Sequence, residues 1–78
     1  RGQLREAEGF CREALALFVK LQATREAAWC QISLARVLHA LSSSEKAREL
    51  LEQACDTAHK LGDKRCEARC RELLAALS

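Results

Sequence analysis

The chain has 78 residues, and its 13 basic and 11 acidic side chains give a net charge of +2, too balanced for a nucleic-acid-binding surface. It contains no Pro and only three Gly, and strong helix formers dominate, so the composition predicts an all-α fold. No apolar run approaches the ~20 residues that span a membrane, and the opening residues lack a hydrophobic signal core. Because the chain does not begin with Met, we expect a segment of a longer protein.

Two amphipathic helices are expected in the first half of the chain. Apolar residues recur at helical spacing from Leu4 to Leu21, which predicts the first helix. Thr24 is a suitable N-cap for a second helix from Arg25 to Leu41. The expected core stripe of this second helix consists of Ala27, Cys30, Leu34, Leu38 and Leu41.

Two further helices are expected after a serine-rich turn. Ser42 and Glu45 have the spacing of a capping box, which predicts the start of a third helix that ends near Leu61. Gly62 is expected to close this helix in the left-handed conformation, and Asp63 to cap the fourth helix at once. The expected core positions are Ala47, Leu50, Leu51, Ala54 and Ala58 on the third helix, and Cys66, Cys70, Leu73, Leu74 and Leu77 on the fourth.

The chain matches itself at an offset of forty residues, without gaps. Nine of the thirty-eight overlapping positions are identical, whereas roughly four would be expected by chance in so Ala/Leu-rich a chain. Such self-similarity indicates a helical repeat array, in which each unit buries its apolar faces against its neighbours. The identical pairs are Ala7 and Ala47, Ala14 and Ala54, Lys20 and Lys60, Leu21 and Leu61, Arg25 and Arg65, Ala28 and Ala68, Cys30 and Cys70, Leu34 and Leu74, and Ala35 and Ala75.

The residues of one repeat resemble a known family. A large–small–large pattern on the second helix is followed by Ala–large–Ala on the third, which resembles the signature of tetratricopeptide repeats. The resemblance implies an all-α, tetratricopeptide-like α-solenoid segment of about four helices. It would consist of a half repeat 1–23, a full repeat 24–62 and a half repeat 63–78. The matching residues are Leu34, Ala35, Leu38, Ala47, Leu51 and Ala54, with Ala7, Cys11, Ala14, Leu74 and Ala75 in the flanking halves.

The sequence departs from the common family pattern at two positions and in its period. Gln31 stands where a Trp is usual, His59 stands where a Pro is usual, and the period exceeds the common thirty-four residues. This looks like the forty-residue variety of kinesin-light-chain-like and spindle-orientation adaptor proteins. A HEAT or armadillo array has a similar period but does not explain the Ala–large–Ala pattern. A closed four-helix bundle that mediates oligomerisation is the third alternative.

The resemblance implies a protein–protein interaction module of a scaffold or adaptor, with a concave groove lined by the first helices of successive repeats. A peptide or helix with hydrophobic anchors and some acidic residues would suit the side chains expected there. Alternatively, the Trp packs against the first helix and the arginines are ordinary surface charges. The expected groove residues are Trp29, Ile32, Arg36, His39, Arg69 and Glu72.

Five cysteines raise the question whether the chain binds a metal ion or uses a reactive thiol. Cys66 and Cys70 stand one turn apart with His59 upstream, but structural zinc sites need four ligands and these are only three. We therefore expect no metal, no cofactor and no catalysis. The alternative is an enzyme-associated helical domain with a reactive cysteine or a metal. Cys11 and Cys30 replace aliphatic residues on apolar stripes, which favours reduced, buried thiols and a cytoplasmic or nuclear location.

The two ends of the array are expected to carry exposed apolar residues. Phe10, Leu17 and Leu21 lie off the main stripe of the first helix, and Leu73 and Leu77 lack a following helix to cover them. Such patches promote association. The sequence therefore predicts self-association or contact with further repeats through these ends, unless the first helix covers the fourth in a closed bundle.

Overall fold

The computed structural model describes residues 2–77, which form four helices. The turns between them are only two or three residues long, so each helix runs antiparallel to the one before it. No strand occurs among the described residues, and the predicted all-α fold is confirmed. In chain order the helices are α1 (Gly2–Lys20), α2 (Thr24–Ala40), α3 (Ser44–Leu61) and α4 (Lys64–Leu77).

The helices stack in sequence order. α1 contacts α2, α2 contacts α3, and α3 contacts α4, while α2 and α4 also touch as alternate members of the stack. Within residues 2–77 α1 makes no contact with α3 or α4. The molecule is accordingly flat, with extents of 35 × 31 × 16 Å. An open stack of helix pairs is thus observed, and the alternative of a closed four-helix bundle is wrong.

The core lies between α2, α3 and α4. Five alanines, two on α2 and three on α3, are almost fully buried, because small side chains let neighbouring helix backbones approach closely. They are Ala28, Ala35, Ala47, Ala54 and Ala58. α1 has no fully buried residue, since α2 alone covers it. Of the expected core positions, Cys30, Leu41, Leu50, Leu73, Leu74 and Leu77 are only half-buried. The buried core consists of Ala27, Ala28, Ile32, Leu34, Ala35, Leu38, Ala47, Leu51, Ala54, Ala58, Cys66 and Cys70.

All three turns share one backbone geometry. Gln22, Ser42 and Gly62 have positive φ angles of 60°, 68° and 71°, and they stand twenty residues apart. In each turn the next N–H donates to the carbonyl five residues back, at 2.8 to 2.9 Å, which is the Schellman arrangement at a helix C-terminus. The predicted left-handed conformation of Gly62 is confirmed. The same turn recurs at two positions that carry no glycine.

Two of the three predicted N-caps are wrong. Thr24 is already the first residue of α2, and its hydroxyl lies 3.5 Å from the carbonyl oxygen of Gln22 instead of capping the helix. Ser42 is held in the left-handed turn, so Ser43 takes the N-cap position of α3, where no side chain caps the backbone. The Asp63 cap is confirmed, because Oδ1 accepts a hydrogen bond from the Cys66 N–H at 3.1 Å.

Candidate partner-binding groove

A cavity of about 170 Å³ opens between α2 and α4, with α3 behind it. Its floor is apolar, and two polar side chains of α2, Arg36 and His39, stand at its rim. Both of these are exposed, so the cavity is reached from the surface. The floor residues are Ala35 from α2, Leu51 from α3, and Leu73, Ala76 and Leu77 from α4.

The rim of the cavity carries an exposed cation. Arg36 makes no hydrogen bond or ion pair with any described residue, so its five N–H donors are open to a ligand. His39 is held in place because its Nδ1 lies 3.2 Å from the Ser44 hydroxyl at the start of α3. An apolar cavity beside an exposed guanidinium suits a ligand that has a hydrophobic side chain and a carboxylate next to it.

Three other predicted groove residues lie outside this cavity. Arg69 and Glu72 on α4 pair with each other, with 3.1 Å between Nη1 and Oε1, and both are partly or fully exposed. Trp29 is half-buried, packs against the core, and borders a separate, shallow depression beside Gly62 and Arg65. Its position near the α3–α4 turn leaves it about two helical turns from Arg36. The depression that Trp29 borders is lined by α2, the α3–α4 turn and the start of α4, and not by the first helix against which the alternative expected it to pack.

Ile32 was expected to line the groove, but the structure places it in the core. It is 3% exposed and belongs to the core cluster, so it does not face a surface ligand. Ala28 and Ala35, each 1% exposed, stand one turn before and one turn after Ile32. Residues at these spacings share one edge of a helix, so Ile32 continues the buried edge of α2.

The apolar floor was not recognised from the sequence as part of a site. Leu51, Leu73 and Leu77 were assigned to packing, as apolar residues at helical spacing usually are. A signal was present, however, because Ala35 and Ala76 are small residues on the two helices that the forty-residue offset places side by side. Because α2 and α4 are alternate members of the stack and α3 keeps them apart, two small side chains between them leave space unfilled.

Two of the five cysteines lie within the core, whereas Cys11 and Cys30, which were expected to be buried, are half-buried like Cys55. Cys66 and Cys70 are buried, and burial, together with the nearby Cys66 thiol, raises the pKa of Cys70 to about 12. Burial also raises the pKa of Cys66. Protonated thiols are weak nucleophiles and poor metal ligands. Within the described residues no three His, Cys, Asp or Glu side chains are grouped to hold a metal ion.

The fold defines a class: an open array of antiparallel helix pairs, here with a cavity between α2 and α4. Among the described residues no helix is both long and apolar enough to cross a membrane. A family model for the tetratricopeptide repeat matches residues 1–60, which include α1, α2 and all but the last residue of α3. The chain belongs to the tetratricopeptide repeat family, and this membership indicates a protein–protein interaction module. No significant match to a curated protein or to a solved structure was found.

Proposed function

We propose that this chain is a segment of a scaffold or adaptor protein that binds a peptide or helix of a partner in the groove between α2 and α4. The observation that carries the proposal is the apolar cavity of about 170 Å³ with the exposed guanidinium of Arg36 at its rim. Binding of this kind needs no cofactor and no catalytic group.

The cavity is suited to a single hydrophobic anchor. An apolar cavity of ~150 Å³ is large enough to hold benzene, so the present one accommodates one aromatic or branched aliphatic side chain. Arg36 would pair with a carboxylate next to that anchor, and a charged group that is desolvated on binding contributes strongly to orientation. The proposed ligand therefore combines one large apolar residue with an Asp or Glu close to it.

The remaining predicted residues extend the proposed groove along its length. Trp29 precedes Arg36 by seven residues and His39 follows it by three, while Arg69 and Glu72 stand on the neighbouring helix. We propose that a ligand anchored in the cavity continues past these side chains. The partly exposed indole of Trp29 would supply a second apolar contact, as aromatic residues often do in interfaces.

The division into repeats follows the same proposal. We take residues 24–62 as a full repeat between the half repeats 1–23 and 63–78, in the forty-residue variety found in kinesin-light-chain-like and spindle-orientation adaptors. The support is the spacing of the turns, since the left-handed residues Gln22 and Gly62 stand forty residues apart. The buried thiols of Cys66 and Cys70 pack as apolar groups, and on this basis we place the protein in the cytoplasm or the nucleus.

The proposal is tested with peptides selected by display against the folded chain. The enriched sequences should share a large apolar residue with an acidic residue close to it. Their affinity, measured by fluorescence anisotropy, should fall about tenfold in Arg36→Glu, equivalent to ~1.4 kcal/mol. Ala76→Leu, which places a larger side chain at the cavity, should weaken the same peptides.

Lys46→Glu provides the matched charge reversal. Lys46 is exposed on α3, lies outside the cavity, and makes no hydrogen bond or ion pair with another described residue. This variant should bind the selected peptides with unchanged affinity, and circular dichroism should give similar unfolding midpoints for all three variants. Peptides that bind Arg36→Glu and Ala76→Leu as tightly as the original chain would place the ligand elsewhere.

A further inference from the structure

α1 exposes an apolar face that no described residue covers. Phe10, Leu17 and Leu21 are 72%, 53% and 64% exposed. The spacings of seven and four residues put them on one side of the helix, next to the side that packs on α2. Three large apolar side chains in one row form the kind of patch that marks an interaction surface.

The corresponding face of α3 identifies the element that fits such a patch. At the forty-residue offset Glu13 corresponds to Gln53, and Leu17 corresponds to Thr57. Gln31 of α2 donates a hydrogen bond to Oε1 of Gln53 at 3.2 Å, and Thr57 borders the same depression as Gln31. This face of α3 is therefore turned toward α2, and the matching face of α1 is the open one.

α4 presents the other half of the same contact. Ala28 and Ala35 of α2 are buried to 1% exposure, whereas their counterparts on α4, Ala68 and Ala75, are exposed. The residue that corresponds to Gln31 is Arg71, whose side chain is also exposed. Its Nη2 pairs with Oε2 of Glu67 on the same helix at 2.8 Å, which leaves its other N–H groups for a second partner. α4 thus carries the face with which α2 covers α3, and no described residue occupies it.

We infer that two copies of the chain associate head to tail, with α4 of one copy covering the Phe10–Leu17–Leu21 face of the next as α2 covers α3. The joined helices would complete one forty-residue repeat across two molecules. Charge supports a second copy as the occupant of these faces. In the contact between copies the positions of Gln31 and Gln53 are taken by Arg71 and Glu13, whose charges are opposite. The contact replaces a neutral hydrogen bond with a charge-assisted one.

Symmetric pairing is disfavoured by the same charges. Glu6 and Glu13 are seven residues apart and flank one side of the apolar row of α1. If two α1 helices paired antiparallel, the side of one helix that carries Glu6 and Glu13 would face the same side of the other. These carboxylates would then repel one another. Two α4 helices would likewise bring two Arg71 side chains together. The head-to-tail contact places opposite charges against each other and does not close on itself, so it builds open chains of molecules.

Sedimentation velocity over a range of concentrations measures the association. The weight-average mass of the unmodified chain should rise with concentration and pass that of a dimer. Glu13→Arg alone and Arg71→Glu alone place like charges in the contact, and each should weaken association about tenfold or more. An equimolar mixture of these two variants should associate again. The arginine introduced in one variant then meets the glutamate introduced in the other, and the unchanged Arg71 meets the unchanged Glu13.

Matched controls use Glu49→Arg and Arg12→Glu, which reverse the same charges on exposed positions outside both faces. Arg12 matches Arg71 because it also pairs with a glutamate one turn earlier in its own helix, Glu8 at 3.0 Å. Each alone, and their mixture, should associate like the original chain. Ala68→Arg should block association by bulk, whereas Ala16→Arg on the exposed outer side of α1 should not. Arg36→Glu should also leave association unchanged, which separates this contact from peptide binding in the groove.

Two results would overturn the inference. One is a chain that remains monomeric at every concentration while its four helices stay folded by circular dichroism. The other is association that Phe10→Asp abolishes but Arg71→Glu and Ala68→Arg leave intact, since that pattern belongs to symmetric pairing of α1. Recovery in the equimolar mixture of Glu13→Arg and Arg71→Glu, without any such change in the control mixture, is the result that the head-to-tail contact requires.

Discussion

Ser42 and Gly62 adopt the same left-handed conformation at equivalent turns, with φ angles of 68° and 71°. In both turns the following N–H reaches the carbonyl five residues back, from Ser43 to Leu38 at 2.8 Å and from Asp63 to Ala58 at 2.9 Å. Only one of the two residues is a glycine. A side chain with a Cβ in this region costs ~1–2 kcal/mol, so the α2–α3 turn is the more strained of the pair.

Replacing Ser42 by Gly should therefore stabilise the chain. We expect Ser42→Gly to raise the free energy of unfolding by ~0.5–1 kcal/mol, because relief of the left-handed strain exceeds the added entropy of the unfolded chain. Gly62→Ala should lower it by ~1 kcal/mol through φ alone, since a Cβ at Gly62 would meet no atom within 4 Å. Urea unfolding followed by circular dichroism measures both changes.

Ser33→Gly is the control for the turn substitution. Ser33 is exposed in the middle of α2, where glycine is a poorer helix former than serine by ~0.5 kcal/mol. The same chemical change should thus destabilise at Ser33 and stabilise at Ser42. Destabilisation at both positions would mean that the turn at Ser42 carries no strain.

Asp63 connects the start of α4 to α2. One carboxylate oxygen caps α4 at the Cys66 N–H, and the other lies 3.1 Å from Nε of Arg25. We expect Asp63→Ala to lower the free energy of unfolding by ~0.5–2 kcal/mol, because a helix N-cap is lost. Asp63→Asn keeps a capping oxygen and loses only the ion pair with the largely exposed Arg25, so its effect should stay within ~0.5 kcal/mol.

The comparison of the two Asp63 variants isolates the cap. Equal losses of stability in Asp63→Ala and Asp63→Asn, measured by urea unfolding, would assign the effect to the ion pair with Arg25. Arg25→Ala, which removes only the ion pair, should then reproduce Asp63→Asn. If the cap dominates, as we expect, Arg25→Ala and Asp63→Asn are both close to neutral.

Large apolar residues should differ sharply in their effect on stability according to their place in the stack. Leu34 is buried between helices, so Leu34→Ala should lower the free energy of unfolding by ~2–5 kcal/mol. Phe10 is larger but exposed, and Phe10→Ala should change it by less than ~0.5 kcal/mol. Both are measured by urea unfolding at low protein concentration, where self-association is absent. A large loss in Phe10→Ala would show that α1 is covered in the isolated chain.

The sequence predicted those features that depend on one strong local preference or on periodicity. Gly62 and Asp63 were identified because a glycine in a helix-ending turn and an aspartate at a helix start each have a specific backbone role. The capping-box spacing of Ser42 and Glu45 predicts an N-cap, yet the twenty-residue period of the turns places Ser42 in the left-handed position. A non-glycine residue gives no local signal for that conformation.

The groove was predicted only in part, for a geometric reason. Three residues of helix rotate a side chain by about 300°, so Ile32 stands roughly 60° from Trp29 around α2. That difference separates the buried edge of α2 from the exposed one. Which of the two residues is buried cannot be decided before the position of α4 is known. Arg36 and His39 line one cavity with Ala76 of α4, the helix that the forty-residue offset places beside them. The cavity floor depends on how closely α2 and α4 approach, which the sequence does not specify.

The buried thiols should make the fold sensitive to alkali. Burial raises the pKa of Cys70 to about 12, whereas a cysteine in the unfolded chain ionises near pH ~8.5. A folded-state pKa above the unfolded value gives a stability that is complete below pH ~8.5 and is lost as the pH rises toward 12. Between pH 8 and pH 10.5 the free energy of unfolding should fall by roughly 2.5 kcal/mol from Cys70 alone.

Urea unfolding at these two pH values, under reducing conditions, tests this expectation with Cys70→Ala as the control. The variant should be less stable at both pH values, because it leaves a cavity, but its fall in stability between them should be smaller. Cys66 contributes in the same direction, since burial also raises its pKa, so some decrease persists in the variant. An equal fall in the original chain and in Cys70→Ala would mean that this thiol ionises as readily in the folded state as in the unfolded one, and that α4 does not hold it within the core.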